Sequence, residues 1–401
     1  MMMVGLPSIP STPGLRKPGR RGLDLAFDPA QLFASGEQGA WYDPSDLSTM
    51  FTDTDGTTPA NVGDPVALLL DKSQGLELGP ELVTNGTFES PDGWDIGSGA
   101  VISNGVATFP FGTRATISQP IDLVAGAFYE ISFTISRRES GTIRFDFEGD
   151  ENTPVAQENR VGSYKVIKRN SGGGNALRVI TTNENTEIDI DNISVRELPG
   201  NHATQETAAA RPILRQTAGG LYYLEFDGVD DALATAALPA PGVDKAQVFG
   251  AARNLTNSAN IGTLTELGPN MSTDGSLNIR FPFDGDGRRA FFSRGTTNQR
   301  ADSGIYAAPM TSVVSGLGDI SGNSLIIRID GAQVDENTGN QGASNYNPSG
   351  TYPLYIGARA GTSNRFNGHI YSLIVRFGAN LDTPTIENVE GFVANKTGVT
   401  L

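Results

Sequence analysis

The sequence of 401 residues contains no cysteine and only two histidines, His202 and His369. The absence of cysteine excludes disulfides, thiolate metal sites and a cysteine nucleophile, and it leaves the redox compartment undetermined. A serine hydrolase or a metal-dependent hydrolase would therefore need one of the two histidines. His202 lies beside an expected domain junction and His369 begins an expected strand, so we expect structural roles for both.

Positive charge is also scarce, because 29 Lys and Arg residues face 45 Asp and Glu residues, which gives a formal net charge of -16. The negative electrostatic field of such a protein repels nucleic acid and anionic membrane surfaces, so neither is an expected partner of the protein body. No apolar run approaches the roughly 20 residues that a membrane helix needs, and residues 1–6 are too short for a signal-peptide core. We therefore expect a soluble chain with no membrane insertion.

Glycine and proline, by contrast, are frequent, with 49 and 23 residues, which is typical of a chain cut into many short strands by turns. Apolar and polar residues alternate over residues 129–135, 324–330 and 371–377, and this period of two predicts half-buried antiparallel strands. Near the C-terminus, Thr383 as a cap and Gly398 as a stop predict one short helix. The expected fold class is all-β, with two β-sandwich (jelly-roll) domains and a short C-terminal helix.

The first 21 residues combine four prolines with four basic residues and contain no acidic residue. This composition predicts an extended N-terminal arm, assigned to residues 1–38. Its charge is opposite to that of the acidic body, so the arm is expected to anchor the protein on an acidic neighbour; a solvated tail is the alternative.

The middle of the chain carries two motifs of one known family. Residues 85–89 (Asn-Gly-Thr-Phe-Glu), followed by Gly93-Trp94, and residues 188–195 (Ile-Asp-Ile-Asp-Asn-Ile-Ser-Val) resemble the opening and closing strands of xylan- and glucan-binding carbohydrate-binding modules of the jelly-roll type. The resemblance covers residues 78–198. It implies a sandwich that binds a glycan or polysaccharide.

The same resemblance implies a structural calcium ion between the first and last strands, with Glu89, Asp191 and the carbonyl oxygen of Thr87 as ligands. Hard oxygen ligands suit Ca²⁺, and surface carboxylates without an ion are the alternative. Trp94 is one of two tryptophans, and its flat ring is suited to stack on a pyranose face. A core position is the alternative for Trp94.

The flanking regions resemble a second family, the laminin G-like, concanavalin A-like lectin sandwich. The resemblance lies in residues 226–231 (Phe-Asp-Gly-Val-Asp-Asp), 329–331 (Ile-Asp-Gly), 355–357 (Tyr-Ile-Gly) and 366–370 (Phe-Asn-Gly-His-Ile). It implies a lectin-like sandwich that ends in a helix.

Residues 70–73 look as though they should run directly into residues 200–204, which would make the jelly roll an insertion. Insertion at an exposed loop costs little, because loop-closure entropy grows slowly with length. The expected division is residues 39–76 for the first part of the lectin-like sandwich, 77–198 for the inserted jelly roll, and 199–401 for the remainder.

A third resemblance concerns the region before the first sandwich. Residues 41–47 (Trp-Tyr-Asp-Pro-Ser-Asp-Leu), preceded by Leu32-Phe33 and residues 36–39 (Gly-Glu-Gln-Gly), are similar to the N-terminal region of tailed-bacteriophage and prophage structural proteins. The resemblance implies a virion-surface component such as a tail fibre, head spike or head decoration. Other virion structural proteins would be its partners through the arm, and a homo-oligomer, by analogy a trimer, would be its state.

Candidate sugar-binding residues besides Trp94 lie in the loop SNYNPSGTYPLYIG, where Tyr346, Tyr352 and Tyr355 stand among Asn and Ser. This chemistry is typical of an adaptable recognition loop, although hairpin packing explains the tyrosines equally well. Tyr346 and Tyr352 are the two that we assign to carbohydrate binding.

Two acidic motifs define the enzymatic and metal alternatives. Glu187, Asp189 and Asp191 share one strand face and resemble the catalytic strand of concanavalin A-like glucanases. The family pattern ends in Glu where this chain has Asp191, and the motif lies in the inserted jelly roll, so we expect no enzymatic activity. The acids around Gly228, which are Asp227, Asp230 and Asp231, could hold a cation, but an acidic turn is the expectation there.

The expected function is that of a non-enzymatic virion structural protein whose sandwiches bind carbohydrate for host attachment. The alternative is a bacterial surface or secreted polysaccharide-binding protein, located extracellularly or on the cell surface. The third hypothesis is a glucanase that uses Glu187, Asp189 and Asp191.

Overall fold

The computed structural model describes residues 27–149, 156–257 and 261–401. Within these ranges the regular structure is almost entirely β, arranged as antiparallel sheets that form two sandwiches, with one α-helix, α1 (Thr383–Asn395), near the C-terminus. The expected all-β fold class with a short C-terminal helix is confirmed. Residues 1–26 of the predicted arm lie outside the described residues. In the described ranges, no helix has the length and apolar character required to span a bilayer.

The strands follow one another in a nested order. The larger sandwich begins with β1 (Gln38–Tyr42), β2 (Met50–Phe51) and β3 (Leu68–Leu69). The smaller sandwich follows with β4 (Asp95–Ile96), β5 (Val101–Ser103), β6 (Val106–Phe109), β7 (Thr116–Pro120), β8 (Phe128–Ser140), β9 (Ile143–Phe147), β10 (Ala156–Glu158), β11 (Gly162–Arg169), β12 (Ala176–Thr181) and β13 (Glu187–Leu198). The chain then returns to the larger sandwich with β14 (Ala203–Thr204), β15 (Ile213–Gln216), β16 (Tyr222–Asp227), β17 (Leu233–Ala237), β18 (Lys245–Asn254), β19 (Thr263–Leu267), β20 (Leu277–Arg280), β21 (Ala290–Arg294), β22 (Asn298–Asp302), β23 (Met310–Asp319), β24 (Ser324–Ile329), β25 (Ala332–Asn337), β26 (Pro353–Ile356) and β27 (Asn367–Phe377).

Strand pairing shows that the two outer segments of the chain build one sandwich. Its first sheet has the order β15-β16-β27-β18-β23-β24-β25, with β1 paired to β27. Its second sheet has the order β2-β3-β14-β17-β26-β19-β20-β21-β22. Val248 and Leu373 of the first sheet meet Ile279 and Phe291 of the second in one buried core.

The smaller sandwich contains sheets of order β10-β9-β12-β7-β4 and β11-β8-β13-β6-β5. The alternation predicted for residues 129–135 is observed, because Tyr129, Ile131 and Phe133 are buried while the residues between them are partly exposed. Phe133 stacks on Phe145 of the facing sheet with the ring centres 3.9 Å apart. This aromatic contact joins the two sheets.

The helix α1 packs its apolar stripe on the outer face of the first sheet. It begins at Thr383, but Asp382 rather than Thr383 is the capping residue, because its carboxylate accepts the backbone N–H of Thr385 at 3.0 Å. The packed pairs involve Ile386, Val389 and Val393 of the helix and Phe249 and Ile374 of the sheet.

Residues 27–38 correct the length of the predicted arm. They contain a short 3-10 helix, Pro29–Phe33, and Leu32 and Phe33 are each only 4% exposed. The Arg376 guanidinium fixes this segment by donating to the Leu32 carbonyl at 2.7 Å and to the Glu37 carboxylate at 2.8 Å. The segment is therefore part of the larger sandwich, and only residues before Phe27 remain candidates for an arm.

The smaller sandwich leaves and rejoins the larger one at neighbouring points. β3 pairs with β14, with Leu69 opposite Ala203 and Leu68 opposite Thr204, so the chain departs and returns on adjacent strands. This pairing is the nested order expected from the junction sequences. The assigned boundaries at residues 76/77 and 198/199 stay a prediction.

Asp71 joins the segment that leaves the larger sandwich to the segment that returns to it, and we call this set of hydrogen bonds the clasp. Its carboxylate accepts the backbone N–H groups of Trp41 at 2.7 Å, Ser73 at 2.8 Å and Asn201 at 2.7 Å. It also accepts the Ser73 hydroxyl at 2.8 Å, and the Asp71 backbone N–H donates to His202 Nδ1 at 2.9 Å. The His202 ring contacts Phe128 of the smaller sandwich edge-on at 4.9 Å, so the clasp also joins the two sandwiches.

The clasp predicts a specific dependence of stability on pH. Burial lowers the pKa of His202 to about 4, from an ordinary value of 6.5. The unfolded chain takes up a proton on His202 below pH 6.5 while the folded chain stays neutral down to pH 4. The free energy of unfolding should therefore fall by up to about 3 kcal/mol between these values.

Urea unfolding of the wild type and His202→Gln at a series of pH values checks this prediction. Other titrating groups are common to both proteins, so the difference between the two unfolding free energies isolates His202. That difference should shrink as the pH falls from 6.5 towards 4. A difference independent of pH would contradict the buried, neutral role of the ring.

Candidate functional site

Trp94 lies in the core of the smaller sandwich and not on its surface. The residue is 7% exposed, its ring centre lies 5.2 Å from that of Phe88, and its indole N–H donates to the Asn85 carbonyl at 3.1 Å. These contacts leave no free ring face for a sugar. The structure therefore corrects the assignment of Trp94 to carbohydrate binding.

The two candidate tyrosines differ in accessibility. Tyr346 is fully buried and its hydroxyl lies 2.6 Å from that of Ser293, so the structure corrects its assignment to a binding surface. Burial raises the pKa of Tyr346. Tyr352 is half-buried, and its hydroxyl donates to the Asp274 carbonyl at 2.9 Å. Tyr352 therefore keeps part of its surface available, while Tyr346 has a packing role.

The predicted calcium ligands flank a contact between the first turn and the last strand of the smaller sandwich. The backbone N–H of Ile193 donates to the Gly86 carbonyl at 3.0 Å, which brings residues 85–89 against β13. Glu89 and Thr87 are exposed and Asp191 is half-buried. The Asp191 carboxylate accepts the backbone N–H of Asn192 at 2.6 Å. The calcium site of Glu89, Asp191 and Thr87 stays a prediction.

The strand face of Glu187, Asp189 and Asp191 is occupied by an arginine. Arg137 on the neighbouring strand β8 donates to Glu187 at 2.9 Å and to Asp189 at 2.7 Å. These hydrogen bonds, first that to Asp189, raise the pKa of Arg137. Two of the three carboxylates are therefore engaged in ion pairs on the side of β13 that faces away from the core.

The acidic turn at Gly228 brings three carboxylates together. One oxygen each of Asp227, Asp230 and Asp231 lies within 4.8 Å of the others. Asp231 is 5% exposed and accepts the backbone N–H of Asp227 at 2.9 Å. Burial, followed by repulsion from the neighbouring acids, raises the pKa of Asp231 to about 6. The cluster has oxygen ligands that a cation could use, and its hydrogen bonds also close the turn.

His369 has a packing role in the first sheet. Its ring stacks on that of Tyr223 with the centres 4.0 Å apart and an angle of 22° between the planes. The side chain is half-buried, and burial lowers its pKa.

A row of polar and aromatic side chains crosses the outer face of the second sheet. Adjacent strands place its members opposite one another, and core residues such as Leu277 and Ile279 alternate with them along the strands, so the row faces away from the core. We call it the polar row, and its members in order are Tyr355, Glu266, Asn278, Phe292 and Arg300.

Glu266 is the centre of the polar row. It is fully buried, and its Oε1 accepts from Arg359 Nε at 3.2 Å. Its other oxygen, Oε2, has no hydrogen-bond partner among the described residues, and neither do the buried donors Asn278 Nδ2 and Arg359 Nη2. Buried polar atoms without partners are rare in folded proteins. Burial raises the pKa of Glu266 to about 7, although Arg359 opposes the shift.

Aromatic rings and guanidinium groups surround the other end of the row. The guanidinium carbon of Arg280 lies 4.3 Å from the ring centre of Phe292, and that of Arg300 lies 4.6 Å from the ring centre of Phe283. Phe292 is 6% exposed, while Phe283 is half-buried and Arg300 is exposed. The polar row therefore combines buried members with partly exposed side chains at one end.

Cavities lie elsewhere on the described chain, and two of them adjoin α1 or the junction between the sandwiches. One of 270 Å³ lies between α1 and the first sheet and includes Asn380, Arg328 and Gln247. The other, of 300 Å³, lies between the sandwiches beside Phe128 and His202. The side chains of Arg328 and Gln247 already have protein partners, which distinguishes the first cavity from the polar row.

The sequence gives little sign of the polar row. Asn278 and Arg280 alternate with Leu277, Ile279 and Phe281, but such alternation is typical of any half-exposed strand. A concentration of arginine and phenylalanine in residues 280–300 is the one available signal.

Comparisons with known proteins give partial likenesses. No protein-family model matches the chain, and no curated protein sequence matches it. Among solved structures, the CBM40 domain of the Ruminococcus gnavus IT-sialidase is 15% identical, covers 45% of this chain and 96% of its own, and gives a TM-score of 0.32.

Domain 4 of the GH43 extracellular arabinanase AbnA of Geobacillus stearothermophilus, solved with arabinotriose, is 13% identical, with 45% of this chain and 81% of its own covered and a TM-score of 0.34. Tailspike protein 2 of the Escherichia coli O157:H7 bacteriophage CAB120 is 14% identical, with 47% of this chain but only 26% of its own covered and a TM-score of 0.36. Each likeness spans less than half of this chain.

Proposed function

We propose that the chain is a non-catalytic glycan-binding protein and that the polar row is its ligand site. The observation that carries the proposal is the combination of one unpaired acceptor, Glu266 Oε2, with two unpaired donors, Asn278 Nδ2 and Arg359 Nη2. The half-buried ring of Tyr355 stands beside them, directly opposite Glu266 on β26.

A sugar hydroxyl matches this arrangement, because a hydroxyl group donates one hydrogen bond and accepts others. It can donate to Glu266 Oε2 while its oxygen accepts from Asn278 Nδ2. The apolar face of the sugar ring can lie on the aromatic ring of Tyr355. Four strand spacings make the row about 19 Å long, which gives room for more than one sugar ring.

Arg359 controls access to the row. Its side chain is 24% exposed and lies on Glu266, which is itself fully buried. Rotation of this long side chain uncovers the carboxylate, and exposed side chains change rotamer within nanoseconds. A bound glycan would then replace the hydrogen bond that Arg359 gives up.

The charged groups favour binding without bond cleavage. Glycoside hydrolysis generally uses two carboxylates on opposite sides of the scissile bond. Glu266 is the one carboxylate among the five members of the polar row, and Arg137 holds Glu187 and Asp189 in ion pairs. The wild type should release no reducing sugar from a polysaccharide. If it does release sugar, and Glu187→Gln abolishes that release, the non-catalytic assignment is wrong and a glucanase is favoured.

A panel of soluble oligosaccharides and polysaccharides tests the proposal, with dissociation constants measured by calorimetry. Asn278→Ala should weaken binding of the best ligand about tenfold. It removes the donor to the sugar oxygen, so the hydroxyl that donates to Glu266 loses one of its two buried hydrogen bonds. Asn380→Ala, in the cavity beside α1, is the matched control and should bind as the wild type does. A loss caused by Tyr352→Ala but not by Asn278→Ala would place the site on the loop predicted from sequence.

We also propose a more specific role for this glycan-binding protein, at the surface of a virion. The similarity of residues 41–47 to phage structural proteins supports it, as does the contrast between the basic residues 1–21 and the acidic body. In this role the chain is a tail fibre, head spike or decoration protein, present as a trimer by analogy and attached to other virion proteins. Many weakly binding copies would hold a particle on a glycan surface through multivalency.

Mass spectrometry of purified particles tests this role. The full chain should be present in the particles, and a chain without residues 1–21 should fold but stay in the soluble fraction. Recovery of the full chain only from the cell surface or the medium would favour the bacterial polysaccharide-binding protein instead.

Calcium at Glu89, Asp191 and Thr87 remains part of the proposal, and a chelator tests it. An ion bound only to the folded state raises stability, so EDTA should lower the melting temperature of the smaller sandwich by about 3 °C. Asp191→Ala should melt lower than the wild type and should no longer respond to EDTA, while Asp122→Ala should respond fully. If EDTA changes the melting temperature of all three proteins equally, the calcium site at Asp191 is wrong, and the acidic turn at Gly228 becomes the candidate cation site.

A further inference from the structure

Arg280 is a nearly buried cation without a carboxylate partner. It stands two residues after Asn278 on β20, so its side chain lies on the same face as the polar row. It is 8% exposed, and its Nε donates to the Asn278 side-chain oxygen at 3.2 Å. No described residue accepts a hydrogen bond from its Nη1 or Nη2 atoms. Buried charges in proteins are normally paired, and the Nη donors of Arg280 are open to an acceptor from outside the described residues.

Three other arginines near the polar row differ from Arg280 in this respect, because each has a carboxylate within hydrogen-bond distance. Asp286 also contacts Arg288 at 3.0 Å, so the region carries no net positive charge, and what distinguishes Arg280 from these three is the lack of a direct carboxylate contact. The three compensated pairs are Arg288 with Asp284 at 2.7 Å, Arg300 with Asp302 at 2.7 Å, and Arg359 with Glu266 at 3.2 Å.

The Arg280 guanidinium contacts two aromatic rings. Its central carbon lies 4.3 Å from the centre of Phe292 and 5.5 Å from the centre of Phe283. Guanidinium groups contact aromatic rings through their planar face, whereas the Nη donors lie at the edge of the group. Burial, together with repulsion from Arg359, lowers the pKa of Arg280 to about 10, although attraction to Glu266 opposes the shift. An anion at the edge would offset the repulsion between these cations.

We infer that the glycan bound at the polar row carries one negatively charged substituent, a carboxylate or a sulfate, which the edge of Arg280 binds. The inference rests on the proposed glycan-binding function. A planar fork of donors matches either group in a bidentate manner. The acidic body repels a densely charged polymer, so the substituent belongs to a ligand that is otherwise neutral and contacts Glu266 and Asn278 through hydroxyls.

The test uses two series that each add one negative charge to the same neutral core: lactose against sialyllactose, and lactose against sulfolactose. Affinities are measured at fixed ionic strength for the wild type and for Arg280→Met, which keeps an apolar chain on Phe292 but has no charge. Arg280→Lys keeps the charge without the fork. Arg215→Met is the matched control, because Arg215 is an exposed arginine paired with Glu225 on the first sheet.

The anionic members of at least one series should bind the wild type about tenfold more tightly than the neutral member, since a charge-assisted pair is worth more than a neutral hydrogen bond. Arg280→Met should abolish this preference and keep the weak binding of the neutral member, Arg280→Lys should retain part of it, and Arg215→Met should retain all of it. The carboxylate and sulfate probes identify which anion is preferred.

Equal affinity of the wild type for neutral and anionic members would overturn the inference and leave glycan binding intact. An anionic preference that survives in Arg280→Met would overturn it as well. Absence of binding to every probe and to the wider panel would instead remove the proposed function, so the two failures are distinguishable. Circular dichroism and urea unfolding of each variant confirm that lost binding does not reflect lost structure.

Discussion

Glu266→Gln should weaken glycan binding by at least about tenfold, because a hydrogen bond to a charged acceptor contributes about 1.5–3 kcal/mol. The substituted amide keeps the size of the side chain, but one of its two terminal atoms becomes a donor. It would then face the donors of Asn278 and Arg359, whose Nδ2 and Nη2 atoms already have no partner. Titration calorimetry with the best ligand of the panel measures the loss. Unchanged affinity would show that the carboxylate takes no part in binding.

The pH dependence of binding gives this prediction a second readout. The pKa of Glu266 is raised to about 7 in the free protein, whereas a hydroxyl that donates to the carboxylate requires its ionised form. Affinity should therefore be constant above pH 8 and fall by up to about tenfold per pH unit below 7. The Glu266→Gln protein, which has no titrating group at this position, should show no such fall. The same slope in both proteins would assign the pH dependence to another group.

Asp71→Ala should lower the free energy of unfolding by about 4 kcal/mol, because the fully buried carboxylate accepts four hydrogen bonds that would lose their acceptor. Three of the donors are backbone N–H groups, from Trp41, Ser73 and Asn201. These donors lie on β1 and on the two segments that connect the sandwiches. Loss of their acceptor should therefore weaken the attachment of the smaller sandwich as well as lower overall stability.

Asp71→Asn distinguishes the role of charge from that of shape. It keeps one acceptor oxygen and should lose about half as much stability, since the new amide faces a backbone donor. Asp122→Ala, at an exposed position, is the control and should stay within about 0.5 kcal/mol of the wild type. Urea unfolding with fluorescence detection measures all three. A loss below 1 kcal/mol for Asp71→Ala would contradict the clasp.

Local patterns in the sequence were sufficient for several of the strands. The alternation in residues 129–135 predicts a half-buried strand because the side chains of a strand point to opposite faces, and the burial of Tyr129, Ile131 and Phe133 follows it. Residues 27–38 show where such reasoning stops. They are assigned from sequence to the extended arm that the proline-rich, basic residues 1–21 predict, but Arg376, far along the chain, binds the Leu32 carbonyl and fixes the segment.

The site could be predicted only in its general chemistry. Aromatic residues next to polar ones identify a recognition surface by type, but residue type does not say which face of a sheet a side chain occupies. Tyr346 points inward because Ser293, on a distant strand, supplies a partner for its hydroxyl. Glu266 and Arg359 are 93 residues apart in sequence, so only the folded sheet brings them together.

The central claim is that the outer face of the second sheet binds a glycan through the polar row. A crystal structure of the protein soaked with its tightest-binding oligosaccharide tests it most directly. The sugar should lie on Tyr355, with a hydroxyl within hydrogen-bond distance of Glu266 Oε2 and Asn278 Nδ2, and with Arg359 turned away from the carboxylate. Sugar density on the smaller sandwich, at Tyr352 or in the cavity beside α1, with the polar row unchanged, would contradict the claim.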